Sequence, residues 1–176
     1  MCSQNRRSTV FIVCGPCGAG KTSYSINLNE RYGAIRFSLD SWMQILFAPD
    51  LIELNFDWIS ERTKRCRKQI WQIVKQLIKQ GINVVLDFGF GQQKIREFYR
   101  KRAMALGADV SIHYLDIPKN VRRQRVHERN QKREPEVFAF EVTDSMFDFM
   151  ENSFEVPDEE ELSNGIRVVS TDNFSH

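Results

Sequence analysis

The sequence predicts an α/β protein in which helices cover both faces of a parallel sheet. Short β-type runs alternate along the chain with longer helical patterns, which is typical of strands joined by crossover helices. The 176 residues, 41% of them hydrophobic, suffice for one well-buried core and are too few for two ordinary domains. We therefore expect a single domain over residues 1–176.

Each element follows from a local pattern. Strands are predicted where β-branched and apolar residues cluster, at positions 9–14 (TVFIVC), 34–39 (AIRFSL), 83–87 (NVVLD), 109–116 (DVSIHYLD) and 166–170 (IRVVS). The clearest helix covers residues 58–80, where apolar residues recur near 3.6-residue spacing until Gly81 ends it. Other helices are predicted over residues 21–32, 92–107, 119–130 and 143–154, and from Ser41 with Asp40 as N-cap. In such a sheet, ligands bind beyond the carboxyl ends of the strands.

A glycine-rich segment between the first strand and the first helix carries the strongest functional signal. Residues 15–22, GPCGAGKT, satisfy the pattern G-x-x-x-x-G-K-[ST] in the strand, loop and helix context that the motif requires. Glycines let successive backbone N–H groups face phosphates, and the helix adds its positive N-terminal end. Lys21 would reach the β- and γ-phosphates, and the Thr22 hydroxyl would bind Mg²⁺. The residues predicted to bind nucleotide are Gly15, Pro16, Cys17, Gly18, Ala19, Gly20, Lys21, Thr22 and Ser23.

The same segment also contains a redox-type motif, because residues 14–17 read CGPC. A dithiol centre of the thioredoxin type needs a helix that begins at the second cysteine, whose positive end lowers the pKa of that thiol. Gly18 and Gly20 are poor residues for a first helical turn, and the redox interpretation leaves the Lys-Thr pair that follows unexplained. We favour the phosphate loop, with Cys14 as a buried strand residue and Cys17 as a variable loop position whose oxidation could block nucleotide binding.

Two aspartates follow predicted strands at one edge of the sheet. Asp87 ends NVVLD and can hold Mg²⁺ through water or contact the phosphoryl acceptor, with capping of the following turn as its alternative. Asp40 ends AIRFSLD, where it can face the γ-phosphate and orient or deprotonate the acceptor. The sequence leaves open which of the two carboxylates is the base.

Positive charge for the phosphoryl group is predicted from a polar segment after the fourth strand. The stretch NVRRQRVHERNQKREP places Arg122, Arg125 and Arg129 on one helical face, while Arg123 lies on another face and fits a solvated position. We expect a mobile lid over about residues 122–140, in which Arg125 and Arg129 contact phosphate and stabilise the transferring phosphoryl group.

Over nearly its whole length the chain resembles a family of small P-loop ATPases. The ordered segments CGPCGAGKTS, FSLDSW, NVVLDFGF, YLDIPKNVRRQRVHERN and FEVTDSMFDFMENSFEVPDEEE are similar to the kinase-like group of chloramphenicol phosphotransferase and the zeta-toxin-type kinases, and the last two resemble a particular bacterial branch of it. The resemblance implies a five-stranded parallel sheet in the order 2-3-1-4-5, ATP as donor, and transfer of its γ-phosphate to a hydroxyl. It also implies that Asp40 is the general base and that Arg125 and Arg129 contact the phosphates. No acceptor pocket for chloramphenicol or a nucleotide-sugar is recognised, so the acceptor is not identified.

Composition narrows the function classes. Lysine and arginine number 25 against 23 aspartates and glutamates, a balance that does not indicate a polyanion or membrane-surface partner. Four cysteines do not make a disulfide framework, and no apolar run is long enough to span a membrane. We expect a cytoplasmic kinase, monomeric or homodimeric, that uses ATP rather than GTP because no NKxD-type guanine-reading motif is present. The alternatives are a polynucleotide or RNA end kinase, and a nucleotide-binding regulator or ATPase without a small-molecule acceptor.

The other polar and aromatic features receive mostly structural interpretations. Arg96 is a further candidate for an anionic acceptor, and the acidic residues 157–162 are interpreted as a solvated turn. His113 and His127 lack a second His or Cys at ligand spacing and are treated as structural. Several aromatic residues are assigned to the core in preference to an acceptor wall, namely Phe138, Phe140, Phe147, Phe149 and Phe154, and also Trp42, Phe47 and Trp58.

Overall fold

The computed structural model describes residues 7–47, 49, 56–132 and 141–170. Strands and helices alternate through most of this part of the chain, as the sequence predicts. Their order is β1 (Thr9–Cys14), α1 (Lys21–Tyr32), β2 (Ile35–Ser38), α2 (Leu39–Phe47), α3 (Phe56–Lys79), β3 (Val84–Asp87), α4 (Gln93–Met104), β4 (Asp109–Leu115), α5 (Lys119–Lys132), α6 (Asp144–Asn152) and β5 (Ile166–Val168).

The five strands form one parallel sheet in the order β2-β3-β1-β4-β5, which confirms the order implied by the family resemblance. In this sheet Ser38, the last residue of β2, pairs with Asp87, the last residue of β3. Because all strands point the same way, the segments that follow β1, β2 and β3 meet at one edge. The phosphate loop, the start of α2 and the loop after β3 are therefore neighbours in space.

The core lies on both faces of the central strand. Alternate β1 residues Val10 and Ile12 pack in a cluster with α3 and α4, whereas Phe11 and Val13 pack in a second cluster with α1. A strand covered on both faces reads as a continuous apolar run, which is why TVFIVC was recognisable in the sequence.

The start of α2 differs from the prediction. The helix begins at Leu39, so Asp40 lies in its first turn and the prediction that Asp40 caps a helix from Ser41 is wrong. The side chain of Ser38 instead accepts hydrogen bonds from the backbone N–H and the hydroxyl of Ser41, at 3.3 and 3.1 Å. Asp40 therefore does not cap the helix, and its carboxyl lies at the edge of the sheet.

A buried ion pair joins the segment around Glu161 to helix α4, which follows the loop after β3. Arg96 is fully buried, and its Nε and Nη2 donate to the two carboxylate oxygens of Glu161 at 2.7 and 2.8 Å. Its Nη1 donates to the carbonyls of Phe90 and Glu155 at 3.0 and 2.9 Å. The candidate role of Arg96 in binding an acceptor is therefore wrong. Residues 158–160 are exposed, as predicted for a solvated turn, but Glu161 in the same turn is buried.

His113 and His127 have protein partners. His113 is buried, and it shares hydrogen bonds with the Tyr24 hydroxyl at 2.6 Å and the Ser111 hydroxyl at 3.0 Å. Burial lowers the pKa of His113 to about 4, so its ring is neutral at physiological pH. His127 lies 3.2 Å from Asp144. Among the described residues no group of three His, Cys, Asp or Glu side chains could hold a metal ion by itself.

Candidate active site

A cleft of about 780 Å³ lies at the carboxyl edge of β1, β2 and β3. Its walls come from the phosphate loop, the first turns of α1 and α2, the loop after β3, and helices α3, α5 and α6. The cleft brings together most of the sequence-predicted site residues, namely Gly15, Pro16, Cys17, Gly18, Gly20, Lys21, Thr22, Ser23, Asp40, Asp87, Arg125 and Arg129. Ala19 differs because its side chain is fully buried behind the loop and its N–H donates to the Pro16 carbonyl at 3.3 Å.

The backbone of the phosphate loop is held in an open curve by its own lysine. Lys21 Nζ donates to the carbonyls of Gly15 and Pro16, each at 2.9 Å, and helix α1 begins at Lys21. Gly18 and Gly20 adopt left-handed conformations with φ of 78° and 87°. A Cβ at Gly18 would lie 2.4 Å from the Arg122 carbonyl, so only glycine fits where the loop meets α5.

The redox interpretation of the CGPC stretch does not fit this geometry. Because α1 begins at Lys21, no helix begins at Cys17 to lower the pKa of its thiol. Cys14 is fully buried in β1, where desolvation raises the pKa of its thiol to about 12. A thiol with this pKa is almost never ionised at neutral pH, so it is a poor nucleophile for disulfide exchange.

Arg122, predicted to share a face with the two lid arginines, supports the phosphate loop instead. It is buried, and its guanidinium forms a bidentate pair with Glu151 of α6, with both hydrogen bonds at 2.7 Å. The same guanidinium donates to the Cys17 carbonyl at 3.2 Å and to the Ile117 carbonyl at 2.7 Å. Hydrogen bonding from Arg122 lowers the pKa of Glu151, so this carboxylate stays charged and holds the loop between α5 and α6.

Asp40 faces the cleft between opposing charges. Desolvation by the surrounding protein raises the pKa of its carboxyl, and the negative charge of Asp87 raises it further. Lys21 and Arg129 act in the opposite direction. The side chain also contacts the solvent of the open cleft, so water screens part of the shift. A carboxyl with a raised pKa accepts a proton more readily than an ordinary aspartate, which suits a base.

Asp87 is already paired within the protein. Its Oδ2 accepts a hydrogen bond of 2.7 Å from Nη2 of Arg36, and only 8% of its side chain is exposed. Asp87 was also considered as a cap for the following turn, but among the described residues its side chain makes no hydrogen bond to that turn. Arg36 was missed in the sequence, although a charged residue within a predicted strand is a signal for such a partner.

The oxygen groups in the cleft fit a magnesium ion that is bound mainly through nucleotide phosphates. Mg²⁺ in such sites takes hard oxygen ligands, one or two from the protein and the others from phosphate and water. The Thr22 hydroxyl lines the cleft at the start of α1, and Asp87 lies at the end of the neighbouring strand. Since one carboxylate oxygen of Asp87 is held by Arg36, this side chain suits a contact through water better than a chelating one.

The predicted lid is described only in part. Arg125 and Arg129 of α5 line the cleft, and the positive charge of Arg129 acts on Asp40. Arg123 keeps 34% of its side chain exposed, in line with the solvated position predicted for it, and it donates to Asp144 at 3.0 Å and to Asp148 at 2.6 Å. Residues 133–140, with Phe138 and Phe140, lie outside the described residues.

Most of the described aromatic residues that were predicted to lie in the core do so, but Phe149 does not. Phe147 is buried in a small cluster with α5, but 72% of Phe149 is exposed at the rim of the cleft. Trp42 and Phe47 pack against the core, as favoured. Phe88 and Phe90 also line the cleft, together with Phe154, which packs against the core as predicted.

The loop after β3 is the part of the site that the sequence did not reveal. Gly89 and Phe90 both have left-handed φ values, 82° and 42°. Arginine side chains hold the loop from two sides, since Arg96 donates to the Phe90 carbonyl at 3.0 Å and Arg67 Nη2 reaches the Phe88 carbonyl at 3.4 Å. The position of Arg67 was a missed signal, because it lies three and four residues before the buried Ile70 and Trp71, on the apolar stripe of α3.

Comparison with known proteins supports a P-loop kinase-like fold. A model of the family described as AAA domain matches residues 10–157. No curated protein matches the chain.

Solved structures with the same fold include several kinases. A Chloroflexus aurantiacus protein described as a candidate kinase has a TM-score of 0.74 at 14% identity, over 94% of this chain and 90% of its own. Kti12 of Chaetomium thermophilum, solved with ADP-AlF3, has a TM-score of 0.69 at 16% identity, over 91% and 88%. The APS kinase CysC of Mycobacterium tuberculosis, in complex with AMPPNP and APS, has a TM-score of 0.59 at 18% identity, over 92% and 88%. At these identities the likeness concerns the fold alone.

Proposed function

The chain belongs to the AAA domain family and has a P-loop kinase-like fold, and from this premise we propose that it is a Mg²⁺-dependent phosphotransferase. It would transfer the γ-phosphate of ATP to a hydroxyl of a small-molecule acceptor. One observation carries the proposal. The phosphate loop, Lys21 and the carboxyl of Asp40 all line the same cleft, and the charge of Lys21 acts on Asp40.

The loop and its flanking side chains suit the donor half of this reaction. In the proposal, backbone N–H groups of the loop and Lys21 bind the β- and γ-phosphates, with the N-terminal end of α1 adding positive potential. Thr22 and, through water, Asp87 would hold Mg²⁺, which would supply positive charge against the charge that develops on the phosphates. Arg125 and Arg129 reach the same phosphates from α5.

Asp40 suits the acceptor half. Its carboxylate accepts the proton of the acceptor hydroxyl while the hydroxyl oxygen forms a bond to the γ-phosphorus and the bond from that phosphorus to the β,γ-bridging oxygen breaks, leaving ADP. The raised pKa of Asp40 improves proton acceptance. Asp87 is less suited to this role, because Arg36 holds one of its oxygens at 2.7 Å.

The proposal is tested by separating nucleotide binding from turnover. MgATP binding is measured by calorimetry, and ADP formation is measured with and without a small-molecule extract of cells. Wild type should bind MgATP and form ADP faster with extract, Lys21→Ala should lose binding, and Asp40→Asn should bind normally without stimulation by extract. Stimulation retained in Asp40→Asn would overturn the role of Asp40. Stimulation of wild type by a 5′-hydroxyl oligonucleotide alone would favour an end kinase, and binding without any turnover would favour a regulator.

The proposal also includes a cytoplasmic location and a single domain. The described helices include none long and apolar enough to cross a membrane, and the described cysteines, Cys14, Cys17 and Cys66, are free thiols. Free thiols accord with a reducing cytoplasm. All described strands join one sheet, which accords with a single domain over residues 1–176.

A further inference from the structure

We propose that the acceptor carries an anionic group, a phosphate, sulfate or carboxylate, and that Arg67 of α3 binds it. This inference rests on the proposed function and deepens it, because it assigns a chemical class to the unidentified acceptor. Arg67 lines the cleft together with Asp40, Asp87 and the Phe88–Gly91 loop.

Arg67 lacks the carboxylate partner that three other arginines near this edge of the sheet have. Arg36, Arg96 and Arg122 each have a carboxylate oxygen 2.7 Å from a guanidinium nitrogen, supplied by Asp87, Glu161 and Glu151 respectively. No carboxylate among the described residues lies within 4.0 Å of an Arg67 nitrogen, and its only hydrogen bond to them is the one of 3.4 Å to the Phe88 carbonyl. Its Nε is buried and has no hydrogen-bond partner there.

A guanidinium in this environment favours a bound anion. Desolvation lowers the pKa of Arg67, although the charge of Asp40 acts the other way, and the side chain stays cationic because an arginine pKa lies far above neutral pH. Burying a cation removes water from it, and this costs free energy when no carboxylate takes the place of the water. An anionic oxygen in the cleft would replace the lost water and the missing partner, and the planar guanidinium can hold such a group with two parallel hydrogen bonds.

The position of Arg67 assigns this anion to the acceptor. Helices α2 and α3 pack against each other, and Asp40 of α2 and Arg67 of α3 both line the cleft. In the proposed function the ATP phosphates are held by the phosphate loop, Lys21 and the arginines of α5, so they already have their cations. The negative charge of Asp40 raises the pKa of Arg67, in line with their place in one cleft. An acceptor anchored at Arg67 would present its hydroxyl to Asp40.

Binding of radiolabelled orthophosphate to protein loaded with magnesium and a non-hydrolysable ATP analogue tests this inference without turnover. The analogue occupies the γ-phosphate position, so phosphate must bind elsewhere. Equilibrium dialysis should show phosphate binding to wild type and an affinity lower by about 10- to 100-fold in Arg67→Gln, the loss expected for a hydrogen-bonded charge. Lys68→Gln removes the same charge from the exposed neighbour on α3 and should bind as wild type. Equal binding by Arg67→Gln and wild type, or none by wild type, would overturn the inference.

Matched acceptor pairs provide the second readout. Glycerol is compared with glycerol 3-phosphate, ribose with ribose 5-phosphate, and glucose with gluconate, by transfer of labelled phosphate from ATP. The charged member should be the better acceptor, and Arg67→Gln should raise its KM by about 10- to 100-fold while the KM for ATP is unchanged. Equal use of the neutral member would contradict the inference. Arg67→Lys, which keeps the charge, should retain part of the effect and serves if the glutamine variant does not fold.

The two proposals fail in different ways. Failure to load the ATP analogue would defeat the proposed function and this inference with it. Loading without Arg67-dependent phosphate binding would defeat only the inference, and the dialysis gives that answer even if none of the paired compounds is the natural acceptor.

Discussion

Replacement of Glu161 by glutamine should destabilise the protein strongly. Arg96 is fully buried, and Glu161 supplies its only carboxylate among the described residues through hydrogen bonds of 2.7 and 2.8 Å. Burial alone would lower the pKa of Arg96, but its hydrogen bonds to Glu161 and its attraction to nearby negative charges together outweigh burial, and the net shift is upward. Breaking a buried pair of this kind leaves an uncompensated charge and costs about 3–5 kcal/mol. With a urea m-value of about 2 kcal/mol/M, the midpoint of unfolding should fall by roughly 2 M.

Urea titration followed by tryptophan fluorescence and circular dichroism measures this change. Glu159→Gln, at an exposed position two residues earlier, is the matched control and should change the free energy of unfolding by less than about 0.5 kcal/mol. The double replacement Arg96→Met with Glu161→Leu should be more stable than Glu161→Gln alone, because no charge is left buried. A loss below about 1 kcal/mol in Glu161→Gln would refute the reasoning, and so would a double variant as unstable as the sum of the single ones.

Three further outcomes follow from the site. Asp40→Asn should raise the free energy of unfolding at pH 7 but not at about pH 3. Burial and the negative charge of Asp87 raise the pKa of Asp40 in the native state above that of an ordinary aspartate, so ionisation of Asp40 destabilises the native state as the pH increases. Urea titrations at both pH values check this difference. Gly18→Ala should abolish MgATP binding in calorimetry, because its Cβ would meet a carbonyl of α5 at 2.4 Å, whereas Gly33→Ala, with φ of 55° and no atom within 4 Å, should cost only about 1 kcal/mol. Iodoacetamide should alkylate Cys17 well before the buried Cys14, by mass spectrometry of the native protein, and rapid labelling of Cys14 would contradict its raised pKa.

The sheet was predictable because its information is local. Each strand appears in the sequence as a short run of β-branched or apolar residues, and the helices between them show 3.6-residue spacing or a recognisable end. The phosphate loop was predictable for a related reason, since its glycines, Lys21 and Thr22 must follow one another at fixed spacing. Only the ends of elements moved, most visibly at α2, where Ser38 accepts the N–H of Ser41 and Asp40 enters the first helical turn.

The partners of the arginines were not predictable because they lie far apart in sequence. Arg96 and Glu161 are 65 residues apart, and Arg122 and Glu151 are 29 apart. Sequence patterns placed these residues on surfaces, since charged side chains are mostly exposed. The fold brings a carboxylate next to Arg96 and another next to Arg122. Arg67 has no such partner within the described part of the chain.

The fate of the γ-phosphate tests the central claim most directly. The protein is incubated with ATP labelled at the γ-phosphate, Mg²⁺ and a small-molecule extract of cells, and the label is followed by chromatography beside Asp40→Asn. The proposed phosphotransferase should move the label to a new organic compound in the wild-type sample alone, with one ADP formed for each labelled product molecule. Label that appears only as inorganic phosphate, or that reaches the same product in Asp40→Asn, would contradict the account.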